Sequence, residues 1–223
     1  MRMLVVAATA MEIAPVIKAL GAAAPQSRMT SFVHRSRDID VLLTGVGMVA
    51  AAAWTSRALS ERTYDLALNA GICGSFDAAL MPGAVVNVVT DTLAELGAED
   101  GDAFLPLESL GLADGSDGPH SASVHAKLPA NAAIEALPAV SGITVNTIHG
   151  DERSIAKVVA RFHPHVESME GAGFMFACAI RGIPFAQVRS VSNMVERRSR
   201  GTWKIPAAIE ALAPIVMNIL EAR

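Results

Sequence analysis

The run from Val166 to Trp203, VESMEGAGFMFACAIRGIPFAQVRSVSNMVERRSRGTW, constrains what this chain can fold into more than any other stretch. Between Met169 and Arg181, bulky apolar residues (Met169, Phe174, Met175, Phe176, Ile180) are interleaved with small ones (Gly171, Ala172, Gly173, Ala177, Ala179). That pattern predicts a buried helix packed closely on a sheet. Gly182 stops the helix and Pro184 forbids its resumption, after which FAQVRSVSN has the β-branched content of a strand. The unit is therefore helix, tight turn, strand, with Glu170 near the helix start and Asn193 near the strand end. A carboxylate inside such a buried run costs several kcal/mol of desolvation unless something pairs with it, which marks Glu170 as a candidate site residue. The competing reading is that Glu170 and Ser168 simply cap the helix.

A chain of 223 residues holds one α/β domain with a full core, and 52% hydrophobic residues against 18% charged exclude a disordered chain. The net charge of −4 and 4% aromatic content offer neither the electrostatic footprint nor the stacking surface of a DNA- or RNA-binding protein. Cys73 and Cys178 sit in apolar surroundings without metal-ligand spacing and read as core residues in a reducing compartment. The N-terminal MRMLVVAATAM is too short for a membrane span and lacks a signal-peptide cleavage region. A cytoplasmic protein with no membrane partner is expected.

Met3 to Ala8 is a continuous apolar run, as in a parallel strand buried on both faces, and Thr9 to Leu20 follows as a helix with Glu12 in its first turn. Open α/β sheets place ligands where a strand enters a helix, although a first-turn acid also suits the helix dipole alone. Phe32 to Thr44 predicts a hairpin. Next, Gly45, Val46 and Gly47 form a turn into an alanine-rich helix; this glycine pair lacks the full phosphate-cradle pattern. Tyr64 to Ala70 is a buried strand running into NAGICGSF, in which Gly71 and Gly74 satisfy backbone geometry or admit a ligand. AVVNVVT gives another strand after the Pro82-Gly83 turn. Asp91 to Pro119 is acidic and glycine-rich and predicts a long irregular excursion, either a solvated loop, a lid or a subunit contact. GITVNT is a further strand, leading into a helix that ends near Phe162. His149, His163 and His165 lack the spacing of a metal site and read as surface or capping residues. The charges Glu196, Arg197, Arg198 and Arg200 read as a solvated loop before a C-terminal amphipathic helix opened by Trp203.

Met169-Glu170 opening a helix, with Ser192-Asn193 closing the next strand, resembles the signature of the nucleoside phosphorylase and nucleosidase superfamily. Asn69, Gly71 and Gly74 match that family's Asn-x-Gly-x-x-Gly at the floor of the nucleoside pocket, and the Gly45-Val46-Gly47 turn resembles its glycine-containing turn. The resemblance covers nearly the whole chain. It implies a three-layer α/β/α sandwich with a mixed central sheet, a single domain over residues 1–223, no metal or organic cofactor, a small-molecule nucleoside substrate and a homo-oligomer. It also implies roles. Glu12 would activate water as general base, Glu170 would accept the ribose hydroxyls with Met169 against the sugar, and Val46 and Gly71 would touch substrate. Phosphorylase relatives need arginines for phosphate, and the Glu12 turn carries no arginine, which favours hydrolysis.

Asn193 stands where adenine-specific nucleosidases of the family carry aspartate. An ionised aspartate only accepts hydrogen bonds, whereas an amide both donates to O6 of a 6-oxopurine and accepts from a protonated N7. Hypoxanthine fits better than adenine, and a site built on such an edge can discriminate by a factor of about 10⁴. Since an amide cannot deliver a proton, water would supply the one on N7. The segment LGAEDGDAFLPL, with VESMEGAGF and VRSVSN, resembles the futalosine hydrolase subfamily, which removes hypoxanthine from futalosine in menaquinone biosynthesis. One of Arg197, Arg198 or Arg200, or a residue of the acidic segment, would then meet the anionic end of that substrate. The competing functions are a methylthioadenosine or adenosylhomocysteine nucleosidase, against which Asn193 counts, a nucleoside-binding module without turnover, and an inosine phosphorylase.

Overall fold

The computed structural model describes residues 1–25, 27–113, 122–197 and 201–222. In chain order these form β1 (Arg2–Ala7), α1 (Ala10–Ala19), β2 (Met29–His34), β3 (Arg37–Leu43), α2 (Met48–Glu61), β4 (Leu66–Ser75), β5 (Val85–Leu93), β6 (Gly97–Asp100), β7 (Ala103–Pro106), β8 (Ser123–His125), α3 (Ala132–Glu135), β9 (Ala139–Thr144), α4 (Glu152–Phe162), β10 (Val166–Ser168), α5 (Gly171–Ala179), β11 (Phe185–Met194) and α6 (Ile205–Glu221).

The apolar run at the N-terminus is continuous because β1 has helices on both sides. Met3, Val5 and Ala7 join the core packed by α1 and α6, while Leu4 and Val6 join the core formed with α2 and α5. Full burial of a side chain the size of Leu4 contributes about 1.5–3 kcal/mol, so this strand anchors both faces of the sheet. The result is three layers, α1, α3 and α6 on one side and α2 and α5 on the other. Strand order in the nine-stranded sheet is β10-β9-β5-β11-β4-β1-β3-β2, with β8 on β5. Since β11 runs parallel to β4 and antiparallel to β5, the sheet is mixed, as expected.

β10 also pairs antiparallel with the end of β4, so β10, β9, β5, β11 and β4 close into a ring. The pairing brings Glu167 beside Gly74 from one side, while Asn193 faces the same glycine from the other.

Two expectations need correction. The helix after Met169 begins at Gly171 rather than at Met169 and ends at Ala179, because Glu170 turns out of helical geometry at the N-cap (φ −123°, ψ −27°) and its side chain caps nothing in its own helix. The segment from Asp91 to Pro119 is not one irregular excursion. β5 continues through Asp91 to Leu93 in register with β9, and β6 and β7 make a hairpin, leaving residues 114–121 outside the described chain. Composition misled there because Asp91 points inward and is satisfied by Thr144 and Gln187.

Candidate active site

A cavity of about 210 Å³ opens where β1, β4, β10 and β11 end, lined among others by Glu12, Val46, Met169, Glu170, Asn193 and Trp203. These come from widely separated parts of the chain, and each is held by a local device.

Glu12 is fixed by the first turn of α1. Thr9 is the N-cap, its hydroxyl accepts from the Glu12 backbone N–H, and the Glu12 carboxylate accepts in return from the Thr9 N–H at 3.0 Å and hydroxyl at 2.7 Å. This reciprocal box satisfies orphan donors of the helix start. The other carboxylate oxygen accepts from the Ile72 N–H of β4 at 3.2 Å. Capping and cavity lining are thus both true of Glu12, which is only 7% exposed.

Glu170 is held from two other elements. Its Oε1 accepts from the Gly47 N–H at 3.0 Å, in the turn that places Val46 at the cavity, and its Oε2 lies 3.6 Å from the Arg189 guanidinium. Arg189 is 1% exposed and is tied to Gln187 and Asn69 on neighbouring strand positions. Gln187 in turn donates to Asp91, Thr144 donates to the other oxygen of Asp91, and the Ala172 N–H at the start of α5 donates to Thr144. A continuous buried polar chain therefore runs under the helix that carries Glu170. Burial, opposed by the bonds from Gln187 and Thr144 and by the charge of Arg189, pushes the Asp91 carboxyl up to about 6. The chain leaves no room beside Gly171, where an added Cβ would lie 2.1 Å from both Asp91 and Gln187 oxygens, which explains glycine after the Met-Glu pair.

Asn193 is aimed by a β-bulge. Register between β11 and β4 steps from Val191↔Cys73 to Asn193↔Gly74, so Ser192 is the extra residue and both Ser192 and Asn193 face the cavity. The Ser192 hydroxyl lies 2.7 Å from the Asn193 side-chain oxygen and 3.0 Å from the Cys73 carbonyl, two acceptors for its one proton, while the Asn193 amide donates to the Met194 carbonyl at 2.9 Å. An amide has two N–H groups and a carbonyl with two lone pairs; these bonds orient it and leave one donor and one acceptor.

Gly71 is not part of the lining. Arg189 occupies the space beside it, 2.3 Å from where a Cβ would stand, and Glu12 comes within 3.0 Å of the same point. Its bareness admits the Arg189 guanidinium and the Glu12 carboxylate. His149 also departs from expectation: it is not a surface residue but lines the cavity, and its Nδ1 sits 2.6 Å from the buried carboxylate of Glu167. His163 does cap α4, in left-handed geometry, and His165 bonds Ser141. Arg197 lines a separate shallow cleft against α4, and Arg198 and Arg200 lie outside the described residues. Glu167, Arg189 and Asp91 were not singled out from sequence; the only signal was ionisable residues inside otherwise strand-like runs.

A family model described as the phosphorylase superfamily matches residues 2–221. The chain is 37% identical to a futalosine hydrolase of Streptomyces coelicolor, covering 97% of this chain and 94% of that protein. It is 30% identical to a 5'-methylthioadenosine/S-adenosylhomocysteine nucleosidase of Colwellia psychrerythraea, covering 82% and 79%. A solved futalosine hydrolase of Helicobacter pylori superposes with a TM-score of 0.83 at 15% identity, over 99% of this chain and 97% of that one.

Proposed function

Because this chain belongs to the phosphorylase superfamily, we propose that it is a nucleosidase that hydrolyses the N-ribosidic bond of futalosine and releases hypoxanthine, a step of menaquinone biosynthesis. The observation that carries the reading is the convergence of Glu12, Glu170 and the bulge-aimed Asn193 on one cavity. Breaking the bond develops positive charge on the sugar and negative charge on the departing base, so a catalyst must hold the sugar, activate water and stabilise the base. Glu170 holds the ribose hydroxyls beside Met169. Glu12 takes the proton of the attacking water. Asn193 offers its remaining donor to O6 and its remaining acceptor to N7–H, a pairing that favours hypoxanthine over adenine and the futalosine reading over the methylthioadenosine one.

A second copy of the chain belongs to the same reading. Met11 and Val46, which line the cavity, are each 57% exposed, an apolar surface suited to cover by a subunit. Light scattering on the purified protein tests this.

Base release from futalosine, inosine and methylthioadenosine in phosphate-free buffer tests the function. Hypoxanthine from futalosine alone is expected. Adenine from methylthioadenosine overturns the base assignment, and release that requires phosphate overturns hydrolysis.

A further inference from the structure

Glu167 and His149 are used by none of the roles above, yet both line the cavity. Glu167 is 4% exposed on β10, and its two oxygens accept from His149 alone among the bonds described for it: Oε1 from the backbone N–H at 3.1 Å, Oε2 from ring Nδ1 at 2.6 Å. A buried carboxylate without a partner costs several kcal/mol, so the geometry favours a histidine carrying Nδ1–H toward it. Phe76 packs edge-on against the ring, centroids 6.4 Å apart, and fixes its plane. The other ring nitrogen, Nε2, is then the atom available to a ligand.

The pair stands at the same end of the cavity as Asn193. Glu167 and Asn193 are cross-strand neighbours of one residue, Gly74, and their Cγ and Nδ2 atoms lie 3.5 and 3.4 Å from the point where its Cβ would be. Resting on the nucleosidase reading, we infer that His149, oriented by Glu167, is the acid that protonates the departing base. The bond from C1' of the sugar to N9 breaks with its electron pair going to the purine. The Nε2–H proton of a doubly protonated His149 passes to N7, leaving a neutral ring with Nδ1–H on Glu167. Water adds its oxygen to C1' and gives its proton to Glu12, and exchange with solvent resets both groups. This replaces the expectation that water supplies the N7 proton, and it assigns Asn193 recognition rather than acid chemistry.

The test compares leaving groups. A nitrophenyl riboside departs without protonation, so His149→Gln should lower kcat on futalosine about 100-fold or more while changing nitrophenyl riboside cleavage less than about threefold. Glu167→Gln, which removes the orienting charge, should give the same asymmetry in weaker form. Imidazole added to His149→Ala should restore futalosine turnover, and this decides the matter alone if the wild type does not accept the nitrophenyl riboside. Equal losses on both substrates without imidazole rescue, an unchanged kcat, or a change confined to KM would each overturn the assignment. If the wild type releases a base from another purine riboside but not from futalosine, the substrate reading fails and the His149 ratio is read on that riboside. A wild type inert on every purine riboside overturns both.

Discussion

The two ends of the cavity are built by opposite means. At the sugar end, Glu12 and Glu170 are buried and share the neighbourhood of one fully buried cation, Arg189, whose bonds run through Gln187 to Asp91. At the base end, Asn193 is a neutral amide aimed by a bulge, and Glu167 reaches out of a three-residue strand to a histidine in a connecting segment. One end is charge locked inside the sheet; the other is hydrogen bonding hung on strand ends. Glu170 is therefore tied to the core through Arg189, whereas Asn193 is oriented by bonds to its own strand neighbours Ser192 and Met194.

The largest effect that would sharpen this contrast is at Glu12. Glu12→Gln should lower kcat for base release by about 10³-fold and also lower the thermal midpoint, because the amide keeps an acceptor for the Thr9 cap but sets an N–H against the Ile72 N–H. A variant that kept its rate would remove Glu12 from the chemistry. Next, Arg189→Met should destabilise the fold by about 3–5 kcal/mol in urea titration, since it strands Glu170 and the Asn69 carbonyl in a dry site. A stability within experimental error of wild type would break the claim that the sugar end is part of the core. Asn193→Asp should cost roughly 100-fold in kcat/KM on futalosine, yet leave the urea midpoint nearly unchanged. Loss of stability equal to that of Arg189→Met would erase the difference between the ends.

The smallest effect concerns pH. The carboxyl of Asp91 is raised from its ordinary 3.8 to about 6 in the folded protein, so the folded state binds the proton more tightly than the unfolded one. Its favourable contribution is present below about pH 4 and is lost as pH rises through about 6, an effect of at most about 3 kcal/mol. Subtracting the Asp91→Asn stability curve from the wild-type curve should show that fall across pH 4–6 and a plateau above it. A difference that rises with pH would reverse the assignment.

What could be read in the sequence follows the range of the interactions. The first-turn position of Glu12, the continuous apolar run of β1 and the glycine stop after α5 are all local, so these elements were legible. Asn193 was legible by position in a recognisable strand end. The bulge that aims it was not, since it depends on pairing with β4. Glu167 sits between Val166 and Ser168 in a short strand, and its partner His149 is bonded across the junction of β9 and β10, so neither residue announces the other. Arg189 reads as an ordinary strand arginine until β4 and β5 enclose it. The guanidinium that fills the space beside Gly71 was not legible either, since a bare backbone looks the same in sequence whatever lies next to it.

Ring closure has a consequence for synthesis. Gly74 emerges from the ribosome early, together with Glu12, but both of its flanking partners, Glu167 and Asn193, lie in the last third of the chain. Contacts that wait for distant sequence are the slow ones to form. A nascent or truncated chain therefore carries Glu12 without Glu170, Glu167 or Asn193, and the full cavity lining is assembled only with the strands that finish the sheet.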